Sequence, residues 1–176
     1  MKDLAALGSP HPRPLSRKRE RGERRVSSKV GLAWLLVALT ACAQGPPPPA
    51  PLDTANEACR HCRMIASDVH FAAQIVAPAE EPLFFDDVGC LRDDLAEKPR
   101  LGEGSIAYVA DHRTGAWVPA AQAVYTRVET LATPMGSHLI AHADAGSREA
   151  DPAAAGGTPL SPEDVFGPAG PPGGTP

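Results

Sequence analysis

Short stretches of apolar residues recur between residues 70 and 143 and predict a series of β-strands. The first, HFAAQIVA at 70–77, mixes alternation with β-branched residues and therefore favours a strand over a helix. Further strands are predicted at 82–85, 106–109, 116–118, 124–128 and 138–143. Turns rich in Gly, Pro and Asp, such as DHRTG at 111–115, separate them. The region is thus predicted to be rich in short strands.

One segment in this region has a helical pattern instead. In VGCLRDDLAE (88–97), Val88, Leu91 and Leu95 recur at helical spacing. The aspartate pair 86–87 directly before it offers a side chain that can cap the helix N-terminus. Strands combined with one or two helices predict an α+β fold.

The composition changes on both sides of this region. Residues 57–148 form the predicted ordered body, which is long enough for one small domain. Residues 42–56 contain a proline run and predict a semi-rigid, extended tether. Residues 149–176 are rich in Pro and Gly with few apolar residues, so we expect a disordered tail.

The N-terminal 41 residues have the features of an extended lipoprotein signal peptide. A basic flank precedes the apolar run at 31–39, which is too short to span a bilayer and has the length of a signal-peptide core. The run ends in LTAC, which resembles the bacterial lipobox, whose cysteine receives diacylglycerol and becomes the mature N-terminus. The alternative is a short buried helix with an unmodified Cys42.

We therefore expect lipidation at Cys42 and a periplasmic protein anchored to a membrane. Ala43 occupies the position where Asp commonly signals retention in the inner membrane, which favours the outer membrane. From Cys42 onward the chain carries 18 of its 21 acidic residues but only eight of its 17 Lys and Arg. This acidic balance argues against nucleic acid as a partner.

Candidate ligands for a metal are concentrated in EACRHCRMIASDVHF at 57–71. Cys59 and Cys62 form a CxxC motif, which supports a thioredoxin-like dithiol only at a helix N-terminus after a strand. Here a proline-rich segment precedes the motif. Structural zinc needs four N or S ligands, and no second CxxC or HxxxH is visible to complete the set.

Copper(I) is the third possibility. It is a soft ion that accepts thiolate and thioether sulfur, and Cys62 and Met64 lie two residues apart. Most methionines pack in cores. Both internal methionines, Met64 and Met135, instead lie in polar or Gly/Pro-containing loops, which favours a ligand role. The local chemistry leaves all three possibilities open.

Several motifs together resemble the NosL family of lipoproteins, which serve as copper chaperones for the copper–sulfide centre of nitrous oxide reductase. They are the lipobox, CRHCRMI, FAAQI, FFDDVGCLRDDL, AYVADHRTGAWVPAAQAVYTRVE and TPMGSHLIAHAD, in the order of the family. The resemblance implies two related halves of ββαβ type. The sequence also contains a weak internal similarity, which we call the methionine–histidine echo: the segment from Met64 to His70 is similar to the segment from Met135 to His138. The resemblance to the family implies that this similarity results from a duplication.

The resemblance also implies Cu(I) binding through Cys62 and Met64 of the CxM motif and Met135 of TPMG. His138 and His142 are the nearest nitrogen donors, and Cys59 is a second-rank ligand. Arg63 stands where the family often has Gly, which places a cation beside the site and puts the backbone freedom of the loop in doubt.

Two other residues are expected to have structural roles. Cys90, in the first turn of the predicted helix, is expected to be a small buried hydrophobe, and His112 is expected to be exposed in a turn. No catalytic triad, phosphate-binding loop or acid pair is visible, so we expect a non-enzyme. The implied partner is nitrous oxide reductase with its maturation apparatus, and the implied cargo is Cu(I).

Overall fold

The computed structural model describes residues 45–97 and 101–173, which form two antiparallel sheets and a few short helices. The seven strands are Ala73–Val76 (β1), Leu83–Phe85 (β2), Ile106–Ala110 (β3), Trp117–Pro119 (β4), Val124–Arg127 (β5), Leu139–His142 (β6) and Thr158–Leu160 (β7). The α-helices are Val88–Glu97 (α1), Ala145–Glu149 (α2) and Pro162–Phe166 (α3), with 3₁₀ turns at Val69–Phe71 and Pro152–Ala154. The mixed α and β content agrees with the predicted class.

The two sheets share one order of elements. The first sheet has the strand order β2-β1-β3-β4 and the second β6-β5-β7, with every pairing antiparallel. Along the chain, each sheet contains two strands, a helix and a third strand, which is the ββαβ order, and the first sheet has β4 in addition. In both sheets the earliest strand lies in the middle of these three: β1 lies between β2 and β3, and β5 lies between β6 and β7. A common origin of the halves stays a prediction.

The methionine–histidine echo does not match this order. His70 precedes β1, the first strand of its half, whereas His138 precedes β6, the second strand of its half. The two motifs therefore stand at positions that do not correspond in the two sheets. The echo carries no argument for a duplication.

The centre of the first sheet is buried on both faces, because every residue of β1 and β3 is buried. On one face, Ala73 and Ile75 belong to the main core together with Val88 and Leu91 of α1. On the other face, Val76 packs in a smaller cluster that also includes Ala50 from the proline-rich segment.

The proline-rich segment is therefore packed against the sheet and does not extend freely, as a tether would, over its described part. Gln74, buried in β1, accepts a hydrogen bond from the Ala50 amide (2.8 Å) and donates one to its carbonyl oxygen (3.0 Å). Tyr108, opposite Gln74 on β3, donates its hydroxyl to the carbonyl oxygen of Pro47 (2.7 Å). Two side chains of one cross-strand pair thus hold a segment that contributes no strand of its own.

The expectation of a disordered tail is wrong for residues 149–166. Strand β7 pairs with β5, and Val165 of α3 is 6% exposed in the main core. Phe166 contacts the ring of Tyr125 edge-to-face, with ring centroids 5.6 Å apart. Ser161 and Asp164 form a capping box that starts α3. The composition gives no sign of this order, because β7 and α3 are only three and five residues long. Strand β7 depends on pairing with β5, and α3 depends on the burial of Val165.

Replacing Val165 with alanine is expected to lower the free energy of unfolding by about 2 kcal/mol, because two buried methyl groups are lost and a cavity remains. Urea unfolding measures this. Glu163→Ala on the exposed side of the same helix is the matched control and should change stability by less than about 0.5 kcal/mol. Equal stability of Val165→Ala and the wild type would contradict the docking of α3.

Candidate metal centre

The CxxC motif lies in a closed loop that begins and ends at an isolated bridge between Ala58 and Ile65. Within the loop, the Cys59 amide donates to the Met64 carbonyl oxygen (2.7 Å), and the Arg63 amide donates to the Cys59 carbonyl oxygen (3.0 Å). Arg63 has φ 70°, in the left-handed region that glycine adopts at least cost. The loop therefore keeps its turn without glycine, at a cost in backbone strain.

Two contacts of Arg60 dock this loop onto the body. Its amide donates to the carbonyl oxygen of Phe84, the central residue of β2 (2.8 Å). Its guanidinium group lies 3.2 Å from the carboxylate of Asp94, which is buried in α1. Since Arg60 is held by both β2 and α1, the loop that carries the two cysteines is fixed against these elements.

Four side chains form what we call the cysteine cluster: Cys59, Cys62, Asp86 and Cys90. Their sulfur and carboxylate atoms all lie within 4.8 Å of one another. The three thiols are free, and Cys59, Cys90 and Asp86 are at most 2% exposed. Cys62 is half-buried, with its Sγ 3.4 Å from each oxygen of Asp86. Such a group of donors can hold a metal ion.

The three thiols differ in acidity. The Cys90 thiol donates to the sulfur of Cys59 and so lowers the pKa of Cys59 to about 6, while it raises the pKa of Cys90. Burial raises the pKa of Cys62 to about 11, and its hydrogen bonds to Cys59 and Asp86 act in the same direction. Within the buried pair of Cys59 and Cys90, Cys59 is therefore the thiol that ionises more readily, whereas Cys62 must lose a proton to bind a metal.

The second predicted motif, TPMG, is fastened beside this cluster through Asp87, which is fully buried. One oxygen of Asp87 accepts from the Gly89 amide (2.6 Å) and caps α1. The other accepts from the Thr133 hydroxyl (2.7 Å) and the Met135 amide (3.0 Å). The CxxC loop thus contacts Asp86 and the TPMG loop contacts Asp87, so two adjacent residues hold both loops.

Close packing of the helix start on the TPMG loop requires glycine at position 89. A Cβ added there would lie 2.5 Å from the Cβ of Ser137, a distance that real contacts do not show. The glycine of FDDVGC therefore permits the helix that carries Cys90 to approach the loop that carries Met135.

The two methionines do not pack in the core. Met64 is 54% exposed and Met135 is 45% exposed, and with Ile65 they are the exposed large hydrophobic residues among those the structure describes. An exposed thioether in a fixed loop is free to bind a soft ion. The ligand roles of Cys59, Cys62, Met64 and Met135 stay predictions, but the fold brings their loops to one place.

The histidines are arranged differently from expectation. His138, at φ 58°, has its Nδ1 2.8 Å from the carbonyl oxygen of Leu131, which leaves Nε2 as its available donor atom. His142 is fully buried and lies beside Asp151, in a separate group that includes His112. The exposure expected for His112 is wrong, because its side chain is only 14% exposed and contacts Asp151.

Cys90 and Asp86 were not among the predicted ligands. Cys90 is buried as expected, yet its sulfur also belongs to the cysteine cluster. Cys90 lies in the first turn of α1 and Asp86 lies two residues before the helix begins. The CxxC motif gives no sign of its pairing with FDDVGC, because β1 and β2 intervene in the chain.

The lipidation predicted at Cys42 falls outside the described residues. Among the residues that are described, none of the helices has the length and apolar character needed to cross a membrane.

Comparison with protein families gives a match to the family described as NosL, over residues 49–167 and thus more than half of the chain. The matched segment includes the CxxC loop, the FDDVGC and TPMG motifs, and the ordered tail through α3. Comparisons with curated proteins and with solved structures gave no match.

Proposed function

The chain belongs to the NosL family, and we propose that it is a membrane-anchored periplasmic chaperone that binds Cu(I) and supplies it for the copper–sulfide centre of nitrous oxide reductase. The observation that carries this proposal is the cysteine cluster, a group of buried thiols that reaches the surface at Cys62, in a loop with an exposed methionine. In this account the protein carries the metal and catalyses no reaction.

The donor atoms favour a soft monovalent ion as cargo. Thiolates and thioethers match Cu(I), whereas Mg²⁺, Ca²⁺ and Mn²⁺ are matched by carboxylate, carbonyl and water oxygens. The cluster offers three sulfurs and one carboxylate, and the two adjoining loops add two exposed thioethers. We propose Cys62, Met64 and Met135 as the ligands that hold the ion, with Cys59 and the Nε2 atom of His138 as further donors.

The gradient of exposure suits an ion that must enter and leave. Cys59 and Cys90 are at most 2% exposed and Cys62 is half-buried, whereas the methionines of the two loops are 54% and 45% exposed. A partner protein can reach thioether ligands on an exposed loop without opening the core. Since thioether sulfur does not take up a proton, the methionines can bind Cu(I) over a wide pH range.

One observation favours a thiol–disulfide role instead, namely the pKa of about 6 that Cys90 confers on Cys59. A reactive thiolate of this acidity is typical of redox dithiols, but exchange also requires access to the sulfur. Cys59 is 0% exposed, and its loop does not begin a helix. The geometry therefore favours metal binding over disulfide exchange.

The delivery step is tested in cells in which the native protein is replaced by Cys62→Ser. We expect nitrous oxide reductase purified from these cells to lack most of the copper of its copper–sulfide centre. Ser67→Ala, an exposed change in the neighbouring chain segment, is the control and should give a fully loaded enzyme. Full loading in the Cys62→Ser cells would contradict the proposal.

A further inference from the structure

A second group of metal-ligating side chains lies apart from the cysteine cluster and shares no residue with it. This histidine cluster consists of His112, His142 and Asp151, whose donor atoms lie within 4.8 Å of one another. We propose that it binds a divalent first-row transition metal ion of the Zn²⁺ class, independently of the copper role proposed above.

Both histidines point a ring nitrogen at the same carboxylate oxygen. Nδ1 of His112 lies 2.6 Å from Oδ2 of Asp151, and Nε2 of His142 lies 2.9 Å from it. The other oxygen, Oδ1, accepts from the Ala153 amide at 2.9 Å and starts the 3₁₀ turn there. One oxygen is therefore fixed by the backbone, which directs the other at the two imidazoles.

Three separate parts of the fold hold these residues in place. His142 ends β6, His112 follows β3, and the His112 amide donates to the carbonyl oxygen of Ala141 (2.8 Å), which fixes it next to β6. The neighbouring Asp111 accepts from the Ala143 amide (2.8 Å) and the Ser147 hydroxyl. A preorganised backbone of this kind reduces the cost of assembling a site.

The environment is dry except at one edge. His142 is 0% exposed and Asp151 is 7% exposed, while the His112 side chain retains 14% exposure. Nδ1 of His142 has no hydrogen-bond partner in the described structure, so Asp151 is the polar contact that holds this ring. A metal ion at Nε2 would give the ring a second restraint.

The donor set decides the class of ion. Two imidazoles and one carboxylate are the three protein ligands of zinc sites that keep a fourth coordination position for water, and the exposed edge of His112 can admit that water. Carboxylate oxygen is a poor ligand for Cu(I), and the cluster has no sulfur.

The alternative is a metal-free hydrogen-bonded network in which each imidazole donates to Asp151. The test is a Zn²⁺ competition titration against a chromophoric chelator with the reduced full chain and three variants: Asp151→Asn, His142→Gln and Asp68→Asn. Asp68→Asn is the matched control, because Asp68 caps the 3₁₀ turn 69–71 as Asp151 caps its own, but its carboxylate accepts from the backbone amide of His70 (2.9 Å) and not from an imidazole ring. Asparagine remains a good cap at both positions.

We expect the wild type and Asp68→Asn to bind one Zn²⁺ more than Asp151→Asn and His142→Gln, in which that ion should bind at least about 100-fold more weakly. The cysteine cluster is intact in all four proteins, so its share of Zn²⁺ cancels. Circular dichroism establishes that each variant is folded, and His112→Gln replaces any variant that is not.

Co²⁺ added to the wild type gives a second readout that needs no variant. Co²⁺ in the histidine cluster should show ligand-field bands without sulfur-to-metal charge transfer, in addition to any signal from the thiolates. Equal Zn²⁺ binding by all four proteins, or Co²⁺ bound by thiolates alone, would overturn the proposal in favour of the metal-free network.

Discussion

Replacing Met64 and Met135 together with leucine is expected to weaken Cu(I) binding by at least about 100-fold, equivalent to about 2.7 kcal/mol. Leucine keeps the volume of methionine but has no lone pair to donate. Because the two side chains are 54% and 45% exposed, the free energy of unfolding should change by less than about 0.5 kcal/mol. Competition against a chromophoric Cu(I) chelator measures the affinity, and urea unfolding measures the stability.

Ile65→Leu is the matched control for this double variant. Ile65 is 43% exposed in the same loop, so the change alters an exposed apolar side chain without removing sulfur. Its Cu(I) affinity should equal that of the wild type. Retention of wild-type affinity by the double methionine variant would restrict the site to the thiolates and would leave the exposure of both methionines without a role.

The Cu(I) affinity is expected to rise about tenfold with each pH unit between about pH 6.5 and 8.5, a gain of about 100-fold over the range. Cu(I) binds the thiolate of Cys62, and burial beside Cys59 and Asp86 raises the pKa of Cys62 to about 11. Throughout this range the thiol is protonated, so each binding event releases a proton and is favoured by higher pH. Cys59, with a pKa of about 6, is already ionised and adds little to the slope.

Affinities measured at about pH 6.5, 7.5 and 8.5, corrected for protonation of the chelator, test this dependence. Cys62→Ser should bind Cu(I) weakly and lose the slope. A flat affinity in the wild type would show that an ionised thiolate, namely Cys59, is the ligand and that Cys62 keeps its proton.

The local pattern was sufficient for most elements of the two sheets. Helix α1 spans 88–97 as predicted, because its apolar spacing and the aspartate before it agree with the packing and the cap that form. Strands β1 to β6 lie within or next to their predicted segments for a similar reason, because segments rich in β-branched and aromatic residues are separated by turns.

The tail could not be predicted in this way. Strand β7 reads TPL, and α3 spans five residues, so neither has enough length for a periodic pattern. Their stability comes from pairing with β5 and from burial of Val165 and Phe166 against the core. Such contacts link residues more than 30 apart and leave no local sign in the composition.

The candidate ligands can be identified in the sequence where their chemistry is local, and not where their grouping depends on the fold. CRHCRM gives Cys59, Cys62 and Met64 by spacing, and the resemblance to the family adds Met135. Cys90 joins the cluster only because α1 starts beside the CxxC loop. His112, His142 and Asp151 come from three segments that only the folded chain brings together.

The most direct test of the central claim is a Cu(I) titration of reduced residues 43–176 against a chromophoric chelator, run beside Cys62→Ser and beside protein with a Cys59–Cys62 disulfide. The account predicts tight binding of one Cu(I) by the reduced protein and loss of that binding in both comparison samples. Equal binding by all three samples, or no tight binding by the reduced protein, would contradict a sulfur-ligated copper site at this loop.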